Sequence, residues 1–380
     1  MKPILRMEGA NESLSVSYNL KVPKSDRKSL VVFNYALNSD NSIFSHQLQL
    51  TLALSDRFNS TTVITGEVGR GVEFFSDKHN VRIFNLKWRS HSKLFKLFLL
   101  YFYSFRAIFA KPDVVLYHMV DTHAAIISPL FWIFRIRQIL WYAHTTLSLP
   151  LRISGLFVDN IITSTQDSFP RKSKQLSRKL IVVGQAIEVD LFPVTWESKH
   201  LADNLAVSTG RLDPSKNHEL ILRTLSDVFK QESNIQIDFI GKASSKSIRK
   251  QFDRIIQTYT SNGMRIKVLG SLNRKELALR YKNYSFFIHA FQGSLDKVLL
   301  EASLCQIPVI TINQEYLREF GSWSQLPTPS LHDELSSFLS TSLSQIEEVG
   351  VWRREKVLLD HSLVSWVNKV ENTLLLGVQV

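Results

Sequence analysis

Short apolar runs and longer segments with helical spacing alternate along almost the whole chain. The short runs are rich in β-branched and aromatic residues and predict strands. They lie at residues 29–34, 61–65, 81–86, 113–118, 137–143, 160–163 and 180–183, and then at 204–209, 235–240, 264–269, 284–290 and 307–311. Helical spacing predicts helices at residues 44–58, 91–110, 121–134, 217–231, 244–259, 273–281 and 296–305. This alternation is typical of α/β proteins with doubly wound, mainly parallel sheets.

The strands and helices form two series, separated by a polar stretch at residues 197–200. We therefore predict two Rossmann-like domains, at residues 28–196 and 197–350, each long enough to bury its own core. Residues 1–27 are polar and mixed in character, and we expect them to be an N-terminal extension. Two similar α/β halves imply a cleft between them.

The composition narrows the class of partner. The chain has 46 Lys and Arg residues against 34 Asp and Glu, a net charge of +12, which favours phosphorylated substrates, nucleic acid or an acidic membrane surface. The single cysteine, Cys305, excludes an internal disulfide framework, and its apolar helical surroundings favour a core residue over a nucleophile. Charged residues interrupt the N-terminal stretch, so no signal peptide is predicted and a cytoplasmic location is expected.

The most apolar run, residues 97–110, is shorter than the roughly 20 residues that a membrane-spanning helix needs. It carries several aromatic residues and is accompanied by four cations, Lys93, Lys96, Arg106 and Lys111. One interpretation is a helix lying on an anionic bilayer, with aromatic rings inward and cations at the headgroups. The other is a helix packed on its own sheet, with the cations reaching outward to water.

A strand, loop and helix at residues 284–305 have their polar groups concentrated in the loop, at Gln292, Gly293 and Ser294. Such a loop places free backbone N–H groups and the positive end of a helix dipole at the carboxyl edge of a sheet, where diphosphates bind. Glu301 lies in the otherwise apolar helix that follows, and a buried carboxylate needs a partner. A ribose diol and a structural Arg or Lys are both candidate partners.

A second basic loop follows the strand at residues 204–209. Gly210 permits a tight turn, and Arg211 and Lys216 precede the next helix. Two cations at the end of a strand and beside a helix N-terminus can neutralise the oxygens of a diphosphate. A solvated basic turn is the alternative for this loop, and the loop before Glu301 in the same sheet favours the diphosphate.

Together, Gly210-Arg-Leu212, Lys216-Asn217, Ser294-Leu-Asp-Lys-Val-Leu-Leu-Glu-Ala302 and Pro308-Val-Ile310 resemble the donor domain of family-4 glycosyltransferases, which are retaining enzymes of GT-B fold. The match spans most of residues 204–320. The resemblance implies that Arg211 and Lys216 bind the nucleotide diphosphate and that Glu301 holds the ribose hydroxyls. It implies a donor site composed of Gly210, Arg211, Lys216, Gly293, Ser294, Leu295, Lys297 and Glu301.

The sequence departs from the family pattern at Gly293, which stands where the first Glu of a Glu–seven residues–Glu motif is expected. The Gly-Ser-Leu-Asp-Lys form resembles a bacterial polysaccharide-assembly branch of the family. Asp296 could take over contact with the donor sugar, or it could cap its own helix. Lys297 could pair with phosphate or with Asp296.

The N-terminal half offers histidines at the ends of predicted strands. His144 follows an apolar strand, and similar glycosyltransferases have a His near the donor sugar at this place, so we expect His144 in the active site with Arg211, Lys216 and Asp296. A neutral His could bond a sugar hydroxyl or orient the acceptor, and a His bonded to backbone is the alternative. His118, His123 and His46 are candidates for the acceptor side.

Two further segments resemble the family. Residues 182–192 resemble the interdomain segment, whose backbone could approach the diphosphate or form a hinge turn, and residues 351–380 resemble a C-terminal helix that crosses back to the first domain. The sequence shows no metal-ligand spacing, Walker loop or dinucleotide fingerprint, so no metal or cofactor is predicted. The expected co-substrate is a UDP-, GDP- or ADP-linked sugar.

The hypothesis is therefore a retaining, metal-independent hexosyltransferase of GT-B fold, with two Rossmann-like domains facing a central cleft. The basic aromatic segment at residues 93–111 suggests a lipid-linked or saccharide acceptor at the inner face of a membrane, as in capsule, O-antigen or exopolysaccharide assembly. One alternative is a GT-B nucleotide-sugar 2-epimerase, for which no acid–base carboxylate pair is identified. Another is a non-enzymatic nucleic-acid-binding or scaffold protein, although the cations are scattered rather than gathered in a known motif.

Overall fold

Two separate parallel sheets organise the chain in the computed structural model, which describes residues 28–39, 45–170, 173–229 and 235–376. The extension expected at residues 1–27 lies outside this part. The first sheet has seven strands in the order β3-β2-β1-β4-β5-β6-β7. They are β1 (Ser29–Leu37), β2 (Ser60–Val68), β3 (Val81–Asn85), β4 (Val114–His118), β5 (Arg137–Trp141), β6 (Asn160–Thr163) and β7 (Leu180–Val182).

Helices cover both faces of the first sheet, because each parallel strand must be followed by a crossover. They are α1 (Ser45–Ser55), α2 (Lys93–Phe109), α3 (Asp121–Ile133), α4 (Leu149–Phe157) and the short α5 (Lys174–Ser177). Helix α1 contributes to the core on one face, and α2, α3 and α4 cover the other. Strands buried on both sides are almost wholly apolar, and all five residues of β4 are buried.

The second sheet has five parallel strands in the order β10-β9-β8-β11-β12. They are β8 (Leu205–Thr209), β9 (Gln236–Ile240), β10 (Arg265–Val268), β11 (Phe286–His289) and β12 (Val309–Thr311). Its helices are α6 (His218–Phe229), α7 (Lys246–Ser261), α8 (Arg274–Tyr281), α9 (Lys297–Leu304), α10 (Gln314–Phe320), α11 (Leu331–Leu339) and α12 (Leu343–Asp360). The middle strands β8 and β11 are neighbours, so the loops that follow them meet at one edge.

The single crossing helix expected at residues 351–380 is instead two helices that meet at His361. Helix α12 packs into the second core through Ile346 and Val357. The next helix, α13 (Leu363–Leu376), packs on the first sheet through Trp366 and Val370. The chain therefore returns to the first domain only after residue 362.

The crossover is fixed to the segment between the sheets by backbone hydrogen bonds. The amide of Ile187 donates to the carbonyl of His361 at 2.7 Å, and the amide of Leu363 donates to that of Ile187 at 2.8 Å. Gly184 has φ +87, and a Cβ there would lie 2.1 Å from the carbonyl oxygen of Asp360. Only glycine allows the two passing chains to approach so closely.

All twelve predicted strands are present, and the predicted helices agree to within a few residues at their ends. Five helices, α4, α5, α10, α11 and α12, were not predicted. No helix among the described residues is both long and apolar enough to cross a bilayer.

Candidate functional site

The two loops with candidate donor residues lie side by side at the carboxyl edge of the second sheet. One follows β8 and the other follows β11, and these strands pair directly. Gly210, at the start of the first loop, has φ +134. A Cβ on the neighbouring Gly241 would lie 1.7 Å from the carbonyl oxygen of Gly210. The loops after β8 and β9 therefore touch through their backbones, which fixes the path of the basic loop.

Lys216 connects the two loops. It ends a short turn at Pro214–Lys216, and its ammonium group forms an ion pair with the carboxylate of Asp296. The same ammonium lies 4.0 Å from the ring centroid of Phe291, a cation–π contact. Both charged side chains are largely buried, at 12% and 19% exposure. The sequence placed both residues in the site but did not predict that they pair.

Asp296 occupies the N-cap position of α9, yet its side chain makes no capping hydrogen bond. Its Oδ2 atom lies 3.2 Å from Nε2 of the buried His289. Nδ1 of His289 lies 3.3 Å from the hydroxyl of Thr311, so the ring donates from Nε2 and accepts at Nδ1. Capping, one of the two roles considered for Asp296, is therefore excluded.

These contacts set the charges of the group. Burial lowers the pKa of His289, so the ring is neutral at pH 7. Burial alone would raise the pKa of Asp296, but the hydrogen bond from His289 and the ammonium of Lys216 outweigh it and hold that pKa below its usual range. The edge of the second sheet thus contains a charged Lys216–Asp296 pair supported by a neutral histidine.

Gly293 is the position at which the family pattern has an acid. A Cβ at residue 293 would lie 2.1 Å from Cζ of Phe291. The Phe291 ring thus fills the space that a side chain at residue 293 would enter. The side-chain amide of Asn313 donates to the backbone carbonyls of Phe291 and Gly293 at 3.1 Å and to that of Ser294 at 3.3 Å. These bonds hold the loop in this shape.

Glu301 is 4% exposed and pairs with Arg274, whose Nη2 lies 2.8 Å from Oε1. Nη1 of Arg274 lies 2.7 Å from Oε1 of Glu188, in the segment between the sheets. Burial raises the pKa of Glu301, and Arg274 and Lys297 oppose that rise. A structural arginine, one of the two partners considered for Glu301, is therefore present. The sequence placed Arg274 only in the helix predicted at residues 273–281, and nothing in that pattern indicated that it pairs with Glu301.

Lys297 begins α9 and is half-buried. Among the described residues, it forms no hydrogen bond or ion pair, and Asp296 pairs with Lys216 instead. Burial, with the nearby charge of Arg274, lowers its pKa to about 8. Burial lowers the pKa of His118, at the end of β4, to about 3, and the charge of Lys297 contributes to that shift.

Arg211 stands apart from this group. Its side chain is 66% exposed, and its Nη1 atom lies 3.4 Å from the carboxylate of Asp213 in the same loop. The structure therefore places Arg211 at the rim and Lys216 inside.

The histidines of the first sheet occupy different surroundings. His144 is exposed in the loop after β5 and contacts the ring of Tyr142 at 5.5 Å. His118 ends β4 and is 1% exposed, with the rings of His46, Trp141 and Trp366 at centroid distances of 5.9, 5.7 and 6.1 Å. The structure thus brings His46 and His118 together and leaves His144 at the surface.

His123 lies in the first turn of α3 and packs edge-on against Trp88, with ring centroids 4.8 Å apart. It is 5% exposed, and burial lowers its pKa to about 4. It is therefore a neutral, packed histidine.

Polar contacts join the two sheets beside the loop after β11. Glu315 of α10 accepts hydrogen bonds from the hydroxyls of Thr165 and Ser168, which follow β6, and from the amide of Leu295 at 2.9 Å. The side-chain amide of Gln185 donates to the backbone carbonyl of Leu295 at 2.7 Å. The loop before α9 is thus held from both domains and lies in the cleft between them.

Within the described residues, no three His, Cys, Asp or Glu side chains come together in a way that could hold a metal ion.

A family model and several solved structures are similar to this chain. Residues 196–321, about a third of the chain, match the family model described as Glycosyl transferases group 1. This range contains both loops and α9. No curated protein sequence matches the chain.

Several solved structures share the fold over nearly the whole chain. HepE from Anabaena, in complex with UDP-glucose, has a TM-score of 0.67 at 15% identity, covering 91% of this chain and 99% of its own. The lipopolysaccharide outer core galactosyltransferase WaaB has a TM-score of 0.63 at 12% identity, covering 92% and 100%. Sucrose-phosphate synthase from Thermosynechococcus elongatus has a TM-score of 0.62 at 14% identity, covering 90% and 97%. The predicted GT-B fold is confirmed.

Proposed function

We propose that this protein is a glycosyltransferase that moves a hexosyl group from a nucleotide sugar to a lipid-linked or saccharide acceptor, with retention of configuration. The observation that carries the proposal is the buried Lys216–Asp296 pair at the start of α9, between two loops of the group 1 domain. A buried cation at a helix N-terminus, with further cations at the rim, suits a diphosphate.

In this proposal the donor diphosphate binds between Lys216, Arg211 and the start of α9, where Lys297 adds a charge that no ion pair uses within the described residues. Glu301 accepts hydrogen bonds from the ribose hydroxyls. Asp296 faces the sugar, in place of the acid that Gly293 lacks. The UDP-glucose in the structure of HepE supports a UDP-linked donor over GDP- or ADP-linked ones.

The main catalytic task is to stabilise the leaving nucleoside diphosphate, whose negative charge increases as the glycosidic bond breaks. Lys216, Arg211 and Lys297 supply positive charge there without a metal ion. The acceptor hydroxyl attacks from the same face of the sugar, and its proton passes to the leaving diphosphate. His144 orients the acceptor at the mouth of the cleft, and His118 and His46 line the acceptor side, with His123 behind them.

A panel of UDP-, GDP- and ADP-sugars tests the donor site by thermal shift. We expect a UDP-sugar to stabilise the wild-type protein by mass action and to stabilise the Arg211→Ala/Lys216→Ala double variant much less. Lys275→Gln, an exposed change on α8, is the matched control and should respond as the wild type does. If no nucleotide sugar stabilises the wild-type protein, the proposed function is wrong.

The surface of α2 supports an acceptor at a membrane, as in the assembly of capsule, lipopolysaccharide or other cell-surface polysaccharides. Leu100, Ser104, Ala107 and Ile108 of α2 face the core, while all of its aromatic side chains except Tyr103 are exposed. Half of the exposed large apolar side chains of the described residues lie on α2, at the end of α3 or on α4. These exposed side chains are Leu94, Phe95, Leu97, Phe98, Tyr101, Phe102, Phe105, Phe109, Trp132, Ile133, Phe134, Leu149, Ile153 and Leu156.

The charges nearby suit anionic lipid. Helix α2 has no acidic residue, and Lys93, Lys96 and Arg106 lie on it. Lys96 and Arg106 also contact the rings of Trp88 and Phe84, so their stems pack on the protein while their charges remain near the surface. Aromatic rings and cations on one surface are typical of proteins that bind the bilayer interface. We propose peripheral binding to the inner face of the cell membrane through this surface.

Sedimentation with anionic liposomes tests the membrane surface. Binding should fall as salt rises, and Phe98→Ser/Phe102→Ser should reduce it while Phe74→Ser, an exposed change elsewhere, should not. Absence of sedimentation at low salt would remove this part of the proposal.

A further inference from the structure

Arg274 lies between two carboxylates that come from distant parts of the chain. Its Nη1 atom lies 2.7 Å from Oε1 of Glu188 and its Nη2 atom lies 2.8 Å from Oε1 of Glu301. The guanidinium therefore bonds to both carboxylates at once. Glu188 belongs to the segment between the sheets, next to Ile187, which bonds to the crossover at His361. The position of Arg274 is therefore fixed from the linker and from α9 at once.

Glu301 depends on this contact more than an exposed carboxylate would. Its side chain is 6% exposed, and within the described residues its carboxylate receives a hydrogen bond from Arg274 at Oε1 and from no other group. Burial favours the protonated form of such a group, and a protonated carboxyl is a much poorer acceptor of hydroxyl hydrogen bonds. The second oxygen, Oε2, remains available to a ligand.

We propose that Arg274 is a positioning residue of the donor site, which keeps Glu301 ionised and oriented so that Oε2 accepts the ribose hydroxyls of the nucleotide. This inference rests on the proposed function and deepens it. Arg274 does not touch the nucleotide, and it acts through Glu301. Glu188 supports the guanidinium from the other side, so the donor site is connected to the interdomain linker.

Several other groups act on Glu301 and bear on its titration. Lys297 and Arg274 favour its charge, whereas burial and Asp296 oppose it. The charges and titratable groups that face it from the elements around it are Arg274 and Tyr281 of α8, Asp296 and Lys297 at the start of α9, Cys305 at the end of α9, and Glu188 beyond Arg274. Since Tyr281 and Cys305 are neutral at pH 7, removal of Arg274 leaves Lys297 as the positive neighbour of Glu301 that remains in the described part of the chain.

The test is calorimetric binding of UDP to the full-length wild-type protein and to Arg274→Gln, from about pH 6 to about pH 9. At neutral pH we expect Arg274→Gln to bind UDP about tenfold more weakly, because a charged hydrogen-bond partner of a buried acid is lost. The loss should shrink as pH rises, because Glu301 regains its charge. Comparison with the wild-type protein at each pH cancels the titration of the UDP phosphate itself.

Two variants make the test specific. Arg274→Lys, which can reach one carboxylate only, should lose less affinity and show a weaker pH dependence than Arg274→Gln. Lys275→Gln, the exposed neighbour on the same helix, should match the wild-type protein throughout. If Arg274→Gln does not fold, Arg274→Lys and Glu188→Gln carry the test, and both should bind UDP more weakly toward low pH.

The outcomes separate the two claims. Wild-type affinity and a wild-type pH profile in the folded Arg274 variants would overturn the role of Arg274 alone. A folded wild-type protein that does not bind UDP would overturn the proposed function, and the role of Arg274 with it. A loss of affinity that is the same at every pH would also contradict the inference, since a merely structural effect does not depend on the charge of Glu301.

Discussion

The two sheet edges that meet in the cleft are built differently. At the edge of the second sheet, charged groups form two ion pairs, Lys216 with Asp296 and Glu301 with Arg274. At the edge of the first sheet, Nε2 of His118 and Nε1 of Trp141 and Trp366 are buried without a hydrogen-bond partner among the described residues, and His144 is exposed. One edge is a preorganised charged site, and the other is a buried aromatic cluster with unpaired polar atoms beside an exposed histidine.

The difference suggests a division of roles. A diphosphate carries the same charges in every nucleotide sugar, so a fixed arrangement of cations can bind it without rearrangement. An acceptor saccharide presents hydroxyls and apolar ring faces, which aromatic side chains and histidines can contact. We infer that the second sheet binds the donor and that the first sheet selects the acceptor.

Asp296→Asn should produce the largest effect and the sharpest contrast within the donor edge. Removal of the negative charge leaves UDP binding unweakened, because Asp296 repels the diphosphate, but we expect the transfer rate to fall by a factor on the order of 10³. Calorimetry with UDP and a radiolabelled transfer assay measure the two quantities. If UDP affinity and transfer fall together, Asp296 acts only by positioning Lys216.

His144→Ala tests the other edge of the cleft. We expect transfer to fall on the order of 10²-fold, while UDP affinity remains that of the wild-type protein, because His144 belongs to the acceptor edge. His79→Ala, an exposed histidine elsewhere in the first domain, is the matched control and should leave both quantities unchanged. Loss of UDP binding in His144→Ala would place this histidine on the donor side.

The pH dependence of UDP binding should show a smaller effect, which sharpens the role of Lys297. Burial lowers its pKa to about 8, so its positive charge is present below that pH and is lost as pH rises through it. UDP affinity should therefore fall by about threefold above pH 8, since one charged contact to the diphosphate is lost. Calorimetry should show a weaker fall in Lys297→Arg, whose guanidinium stays charged. Identical profiles for both proteins would remove Lys297 from the donor site.

Much of the fold could be predicted from the sequence, and the reason is physical. Strands of a parallel sheet are buried on both faces, so runs such as the one that forms β4 are continuously apolar and easily recognised. Helices with little regular spacing were missed. Helix α12, for example, places only Ile346, Gly350, Arg353 and Val357 in the interior.

Only part of the candidate site could be predicted from the sequence. The residue types after β8 and β11 indicated anion binding, because loops at the ends of neighbouring parallel strands converge. The partners of those residues could not be predicted from the sequence, because the pairing depends on how the loops and helices fold together. His289 is seven residues from Asp296 along the chain, and Arg274 is 27 residues from Glu301. The same holds for Phe291, whose ring fills the space beside Gly293 only because of the loop conformation that Asn313 fixes.

A crystal structure of the protein with UDP tests the central claim most directly. We predict that the diphosphate lies at the start of α9, in contact with Lys216, and that the ribose hydroxyls lie within hydrogen-bond distance of Glu301, whose other oxygen remains on Arg274. UDP bound elsewhere, or with its ribose away from Glu301, would contradict the assignment of this sheet edge as the donor site.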